Sequence, residues 1–216
     1  MTETFEIPLR LRYRDGPYKA ALRIPYLAVT GPQSPVPDIG VVGSPTSGRS
    51  TVRGIGDLRL SGAVRIVGGG DDDWFHLELG AGVKLPTGNY DMGLGSGQIG
   101  LSALAEATFD IRPDLSLDLT FGRFFRTRRP DGLDLRDFFY VSADLGYDVL
   151  PRVTIGITLD AQQKSVSYGS AVLEAGLYAE YEFTSGTRIG LSVYRGFTRD
   201  SSDFAIGLLF SHRFSI

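Results

Sequence analysis

The chain contains two histidines, His76 and His212, and no cysteine. That narrows the chemistry at once. Hydrolysis or acyl transfer needs a nucleophile with a base beside it. His76 sits two residues from Glu78, and Ser61 or Ser102 could approach it across neighbouring strands. The plainer reading is a histidine held in a polar hydrogen-bond network, and no catalytic residue is assigned. Asp71-Asp72-Asp73 groups three carboxylates, but no His/Asp/Glu set has ligand spacing. A solvated turn is expected there, with no metal and no cofactor. Gly95-Ser96-Gly97-Gln98-Ile99-Gly100 has the glycine spacing of a dinucleotide fingerprint, which requires a helix after it. A strand pattern follows instead, so an external loop is expected. Lys84 with Thr87-Gly88 lacks the glycine spacing of a phosphate loop.

The charged residues are more informative, because they are sorted along the chain. Early segments supply Arg10, Arg12, Lys19, Arg23, Arg59, Arg65 and Lys84, with Glu78 among them. Later ones supply Glu106, Asp118, Asp144, Asp160, Glu174, Glu180 and Glu182. All fall on the polar side of a period-two pattern. Two readings follow. The charges fill the interior as a salt-bridged plug, or a basic wall faces an acidic wall across a pore and sets up a transverse field. If Asp15-Gly16 is a two-residue hairpin turn, Arg12 faces Lys19 directly. Like charges so placed are destabilising unless neutralised, and acidic strands across a narrow lumen could do that.

The elements that position these residues are strands. From Phe75 to Leu85 one face reads Phe75, Leu77, Leu79, Ala81, Val83, Leu85, and the other His76, Glu78, Gly80, Gly82, Lys84. The segments from Asp57 to Ile66 and from Val153 to Lys164 alternate in the same way, because successive strand side chains point to opposite faces. About eleven such segments begin near Phe5, Tyr18, Asp57, Trp74, Gln98, Leu115, Phe138, Val153, Leu173, Thr187 and Phe204. No amphipathic helix is evident. Short turns at Asp15-Gly16, Gly68 to Asp73, Arg112 to Asp114, Leu150-Pro151 and Thr184 to Gly186 alternate with longer polar loops. Those loops are Gly31 to Gly56, Thr87 to Gly97, Thr127 to Asp134, Ser165 to Ser170 and Thr198 to Asp203. This asymmetry is the pattern of outer-membrane barrels.

Composition agrees. The 216 residues suffice for one domain, 1–216, and the net charge of −3 with no basic tract gives no reason to expect nucleic acid. Mean hydropathy is close to zero, and no stretch approaches the roughly 20 apolar residues of a membrane helix. Membrane barrels look the same, since half of each strand faces the interior. Three features favour lipid on the apolar face over a soluble lipocalin-like barrel. The apolar face is nearly free of charge, where an Arg or Lys would cost roughly 2–4 kcal/mol at the bilayer midplane. Aromatics (Phe5, Tyr13, Tyr18, Tyr26, Trp74, Phe109, Phe121, Tyr147, Tyr181, Phe183, Phe214) gather near strand ends, as in interfacial girdles. Glycine and small residues crowd the polar face.

Gly56-Asp57-Leu58-Arg59-Leu60, Val83-Lys84-Leu85-Pro86-Thr87-Gly88 and Gly93-Leu94-Gly95-Ser96-Gly97 resemble the outer-membrane proteins associated with the meta-pathway of phenol degradation. So does Pro8 to Tyr13 leading into Arg23 to Pro32. The resemblance covers roughly the first half of the chain. It implies a channel for small molecules, hydrophobic ones included, and brings no catalytic residues. Family members carry one more strand before Phe5, and barrels normally have an even strand count. Either an N-terminal strand is missing or a strand hides within Gly31 to Gly56. Met1-Thr2-Glu3-Thr4 leads straight into a strand pattern, so the numbering follows a cleaved signal or the terminus has been trimmed.

The expectation is therefore an all-β, transmembrane, antiparallel up-and-down barrel of about twelve strands. It would sit in a bacterial outer membrane against lipid and lipopolysaccharide, and pass small-molecule solutes along the charges named above. The alternatives are a non-conducting barrel that binds a ligand or partner through its external loops, and a lipid-modifying barrel enzyme.

Overall fold

The computed structural model describes residues 3–31, 34–36, 40–42, 50–70, 73–127, 136–166, 169–183 and 186–213. The described residues hold fourteen strands and no helix. They are β1 (Glu3–Asp15), β2 (Tyr18–Gly31), β3 (Ser34–Val36), β4 (Gly40–Val42), β5 (Ser50–Ile55), β6 (Leu58–Val67) and β7 (Phe75–Leu85). β8 (Gly100–Arg112), β9 (Leu115–Arg126), β10 (Phe138–Leu150), β11 (Val153–Gln162), β12 (Val172–Glu182), β13 (Thr187–Gly196) and β14 (Ala205–His212) complete the set. Twelve of them make one antiparallel sheet in the order β1-β2-β6-β7-β8-β9-β10-β11-β12-β13-β14, with β5 also on β2. β3 and β4 pair only with each other.

β5 lies within the stretch read above as a polar loop. It pairs with the far half of β2 (Tyr26↔Ile55) while β6 pairs with the near half (Arg23↔Arg59). β5 and β6 are thus one traverse of the sheet, interrupted at Gly56-Asp57. The sheet has twelve strands and eleven traverses, and every neighbour in its order is the next traverse in the chain. β1 and β14 end that order and are not paired with each other among the described residues.

The first turn corrects the expected register. The residues between β1 and β2 are Gly16 and Pro17, so Asp15 pairs with Tyr18, Arg14 with Lys19, Arg12 with Ala21 and Arg10 with Arg23. Gly16 has φ +51°, in the left-handed region that glycine enters without steric cost. Moving the turn by one residue shifts each partner by two and leaves the faces unchanged. The later turn is likewise Pro151-Arg152, where Leu150 meets Val153 and Arg152 takes φ 77°.

The two faces differ sharply. Six apolar residues are buried among those described, whereas large apolar side chains line the other face in the open: Leu9, Leu11, Phe121, Ile157, Leu177 and Phe210 are all more than half or nearly half exposed. Sheet curvature puts the polar face inside. Arg59 of β6 shares one cavity with Asp160 of β11 and Glu174 of β12, and Tyr194 of β13 comes within charge-interaction range of Arg10 of β1.

Aromatics on the convex face form two belts. Trp74, Phe75 and Phe109 cluster near the short turns, with centroids 5.0–6.1 Å apart. Tyr181 and Phe183 meet edge to face at the same end. Phe121 stacks on Phe139 near the long loops, where the Arg123 guanidinium lies over Phe125 and Phe139 at 4.8 and 4.9 Å. Phe214, Asp71 and Asp72 lie outside the described residues.

Candidate functional site

The break between β5 and β6 anchors the long-loop end of the sheet. Gly56 donates its N–H to Pro25 O at 2.8 Å, and a Cβ there would press on Leu27 and Pro25. Thr87 fills the missing ladder position: its hydroxyl donates to Gly56 O and accepts from Leu58 N, both at 2.9 Å. Asp57 is 6% exposed. One carboxylate oxygen accepts from Gly88 N at 3.1 Å, and the other from Ser96 N at 2.8 Å and Ser96 Oγ at 2.6 Å. Lys84 Nζ lies 3.6 Å from that second oxygen. Gly95 leaves no space for a Cβ beside Asp57 Oδ1 and Gly88 O. Three of the four stretches that carried the resemblance thus converge on one buried carboxylate. They tuck loop 86–99 against the concave face, where Leu94 is buried with Leu27 and Val29 and packs on Val52.

Below this anchor the cations form a row. Arg10 faces Arg23, Arg23 faces Arg59, and Arg59 faces Lys84 across successive strands. Lys84 then faces Gly100, which faces Arg126. Such a row is self-repelling unless acids intervene. Glu6 pairs with Arg23, and Asp57 with Lys84. A second group, Arg14, Lys19 and Arg65, converges on Glu78: Arg14 Nη2 at 3.4 Å, Arg65 Nε at 3.5 Å, and Lys19 in close contact. The carboxylate that neutralises the first hairpin is therefore on β7, two traverses away, and not on the opposite wall. Arg12 is displaced from Lys19 by the turn and shares the face with Arg10.

The acids follow on the next strands. Glu106 faces Glu78, Asp118 faces Asp144, and Asp160 faces Glu174. Thr108 donates to Asp118 at 2.5 Å, and Tyr178 Oη donates to Asp144 at 2.7 Å. Glu180 is on the same face opposite Thr154 and Gly190, and Arg188 holds Glu182 at 2.8 Å. All fifteen charged positions singled out in the sequence share the polar face. They do not form one cluster.

Tyrosines on this face are the part the sequence reading missed. Tyr140 faces Gly122, Tyr178 faces Gly156 and Tyr194 faces Gly176. A Cβ at each of those glycines would overlap the facing ring, and one at Gly100 would overlap Phe124. Glycine lets each ring lie along the wall and not project from it. Phe124 and Phe138 stack at 5.2 Å and 18°, with Lys84 Nζ 5.3 Å and Arg126 Cζ 5.6 Å from the Phe124 centroid. Beside them is a cavity of about 350 Å³, lined by Arg59, Phe124, Phe138, Tyr140, Asp160 and Glu174 among others. A smaller one of about 160 Å³ lies among Lys19, Glu78, Glu106 and Asp118. The signal was available: these aromatics have the parity of the polar face, and a glycine stands opposite each tyrosine.

The suggested hydroxyl–histidine approach does not occur. Ser61 and Ser102 both lie in the row of Gly82, six residues along β7 from His76, which is about 20 Å of strand. His76 Nδ1 is instead 3.8 Å from Asp110. No group of three or more His, Cys, Asp or Glu suited to a metal occurs among the described residues.

The model of a family described as "Putative MetA-pathway of phenol degradation" matches residues 27–214. The chain belongs to this family. The match takes in the Asp57 anchor, the cavity and most of the charged face, and extends well beyond the first-half motifs. No curated protein matches the chain significantly.

Proposed function

We propose that this family member is an outer-membrane barrel that conducts small solutes, aromatic ones included, passively through its charged concave side. One observation carries the reading: the charged face is the concave one and the apolar face is open. Leu208 and Phe210 are 83% and 72% exposed while Lys84 and Glu78 are 3% and 5% exposed. A water-soluble protein avoids contiguous apolar surface on this scale. A bilayer requires it, and it also requires the backbone polar groups of the spanning segment to be paired, which the antiparallel ladder supplies between each strand of the sheet and the next from β1 to β14. The aromatic belts fall where the polar headgroups would lie.

The family's description supports the solute class, since a cell that degrades phenolic compounds must first admit them. The concave face has what such a solute can use: aromatic surfaces flush with the wall, cations on one side and carboxylates on the other. No residue is assigned a catalytic role, and the outer membrane is the proposed location. Membrane fractionation with a heat-modifiability gel tests this reading. Outer-membrane fractionation and a faster-migrating unboiled band are expected. A freely soluble monomer in the absence of detergent would contradict it.

A second reading has its own observation. Loop 86–99 folds against the concave face and Glu78 gathers three cations beneath it, so a barrel closed at rest is the alternative. Proteoliposome uptake of a small neutral sugar separates the two.

A further inference from the structure

Three arginines interrupt the apolar parity of the convex face: Arg53 on β5, Arg123 on β9 and Arg195 on β13. Arg53 faces Ala28, Arg123 faces Phe139 and Arg195 faces Ala175, all outward positions. They share one end of the sheet. Arg53 is three residues from Ser50, Arg123 three from Arg126 and Arg195 one from Gly196, the long-loop ends of their strands. Toward the short turns the same parity turns apolar, with exposed Ile55, Phe121 and Leu191 next in line. Arg53 and Arg195 are exposed and have no carboxylate partner among the described residues. Arg123 Nη2 lies 3.5 Å from Asp137 Oδ2, but both side chains are well solvated, at 43% and 40%. Its guanidinium rests on the rings of Phe125 and Phe139. At the opposite end Arg112, over the ring of Tyr147, is held by Asp114 of its own turn at 3.1 Å.

We infer that Arg53, Arg123 and Arg195 form a belt that binds the phosphate groups of lipid A, the glycolipid of the outer leaflet. The inference rests on the membrane reading, which puts the apolar face in lipid and the long loops outside. An arginine on a lipid-facing surface costs most at the midplane and little at the interface. There its stem lies along apolar neighbours while its head reaches the polar layer. The belt stands at that level, beside the ring stack of Phe121 and Phe139. A guanidinium offers a planar fork of donors that matches two phosphate oxygens at once. The lipid A phosphates are monoesters, with about −1.5 to −2 charge at neutral pH, whereas a phospholipid diester carries a single charge. A lone guanidinium therefore gains more from the glycolipid. The three arginines belong to the third, sixth and tenth traverses of the sheet. At about 4.8 Å per strand they stand roughly 14 and 19 Å apart round the sheet. That is too far to share one phosphate, so each takes its own and their effects add.

Native mass spectrometry of the refolded protein in detergent tests this, with lipid A, dephosphorylated lipid A and phosphatidylglycerol as probes. Lipid A should bind roughly tenfold more tightly than its dephosphorylated form, and more tightly than phosphatidylglycerol. Arg53→Gln, Arg123→Gln and Arg195→Gln should each weaken lipid A by about three- to fivefold, the worth of one cation near an anionic lipid surface. The triple variant should weaken it by roughly twentyfold or more, and the single variants serve if the triple one does not refold to a heat-modifiable band. Arg112→Gln, on the same face at the other end, should leave lipid A binding unchanged. Equal binding of the dephosphorylated lipid would overturn the belt, as would full lipid A binding by the folded triple variant. Phosphatidylglycerol held as tightly as lipid A would overturn the choice of glycolipid. Insertion into liposomes keeps the two ideas apart. A heat-modifiable protein that inserts but ignores the phosphates loses the belt and keeps the barrel, whereas a protein freely soluble without detergent loses both.

Discussion

Ser96 gives both its backbone N–H and its hydroxyl to one oxygen of Asp57, at 2.8 and 2.6 Å, across thirty-nine residues of chain. With Gly88 N on the other oxygen, one carboxylate holds both ends of loop 86–99. Asp57→Ala should free the loop and remove the carboxylate beside Lys84, whose side chain is 2% exposed. Breaking a buried pair in this way costs roughly 3–5 kcal/mol. Urea unfolding should show the loss, and chymotrypsin should cut near Tyr90 and Met92 far faster than in wild type. Unchanged protection of the loop would show that Asp57 does not hold it.

Glu78 should matter far more than its neighbour in register, Glu106. Glu78 takes three cations, whose side chains are 50%, 33% and 17% exposed. Because two of the three are well solvated, Glu78→Gln should cost about 2 kcal/mol, less than a fully buried pair. Glu106→Gln should cost little. Equal urea midpoints for the two variants would contradict the hub.

The tyrosine–glycine pairs predict conductance. Gly122→Val should lift the Tyr140 ring off the wall and narrow the lumen, lowering the unit conductance. Tyr140→Ser in the same protein should restore it. A Gly122→Val channel of wild-type conductance would mean that these rings do not border the path.

Much of this was legible from alternation and turn chemistry. The strand starts at Tyr18, Leu115, Phe138, Val153 and Thr187 coincide with those observed, because period two and turn residues are local signals. Register is not local. Asp15-Gly16 and Gly16-Pro17 are both acceptable turns by composition, and choosing between them decides whether Arg12 or Arg14 meets Lys19. β5 escaped notice because Gly56-Asp57 cuts its traverse in two, after a stretch rich in glycine, proline and serine. Glu78 was visible as a polar-face residue, but its three cations come from β1, β2 and β6, and only the curved sheet brings them together.

The convex face offers a direct contrast. Ile157 is 48% exposed on β11. If it faces lipid, Ile157→Arg should cost roughly 2–4 kcal/mol in refolding experiments with bilayers. If it faces water, the same change is nearly neutral, and the membrane reading fails.

Ion conductance across a planar bilayer containing the refolded protein tests the channel most directly. Discrete steps are expected, with a reversal potential that moves toward anion selectivity in Asp160→Lys and toward cation selectivity in Arg59→Glu. A heat-modifiable, inserted protein that stays silent, both as wild type and with loop 86–99 released by Asp57→Ala, would contradict a conducting lumen.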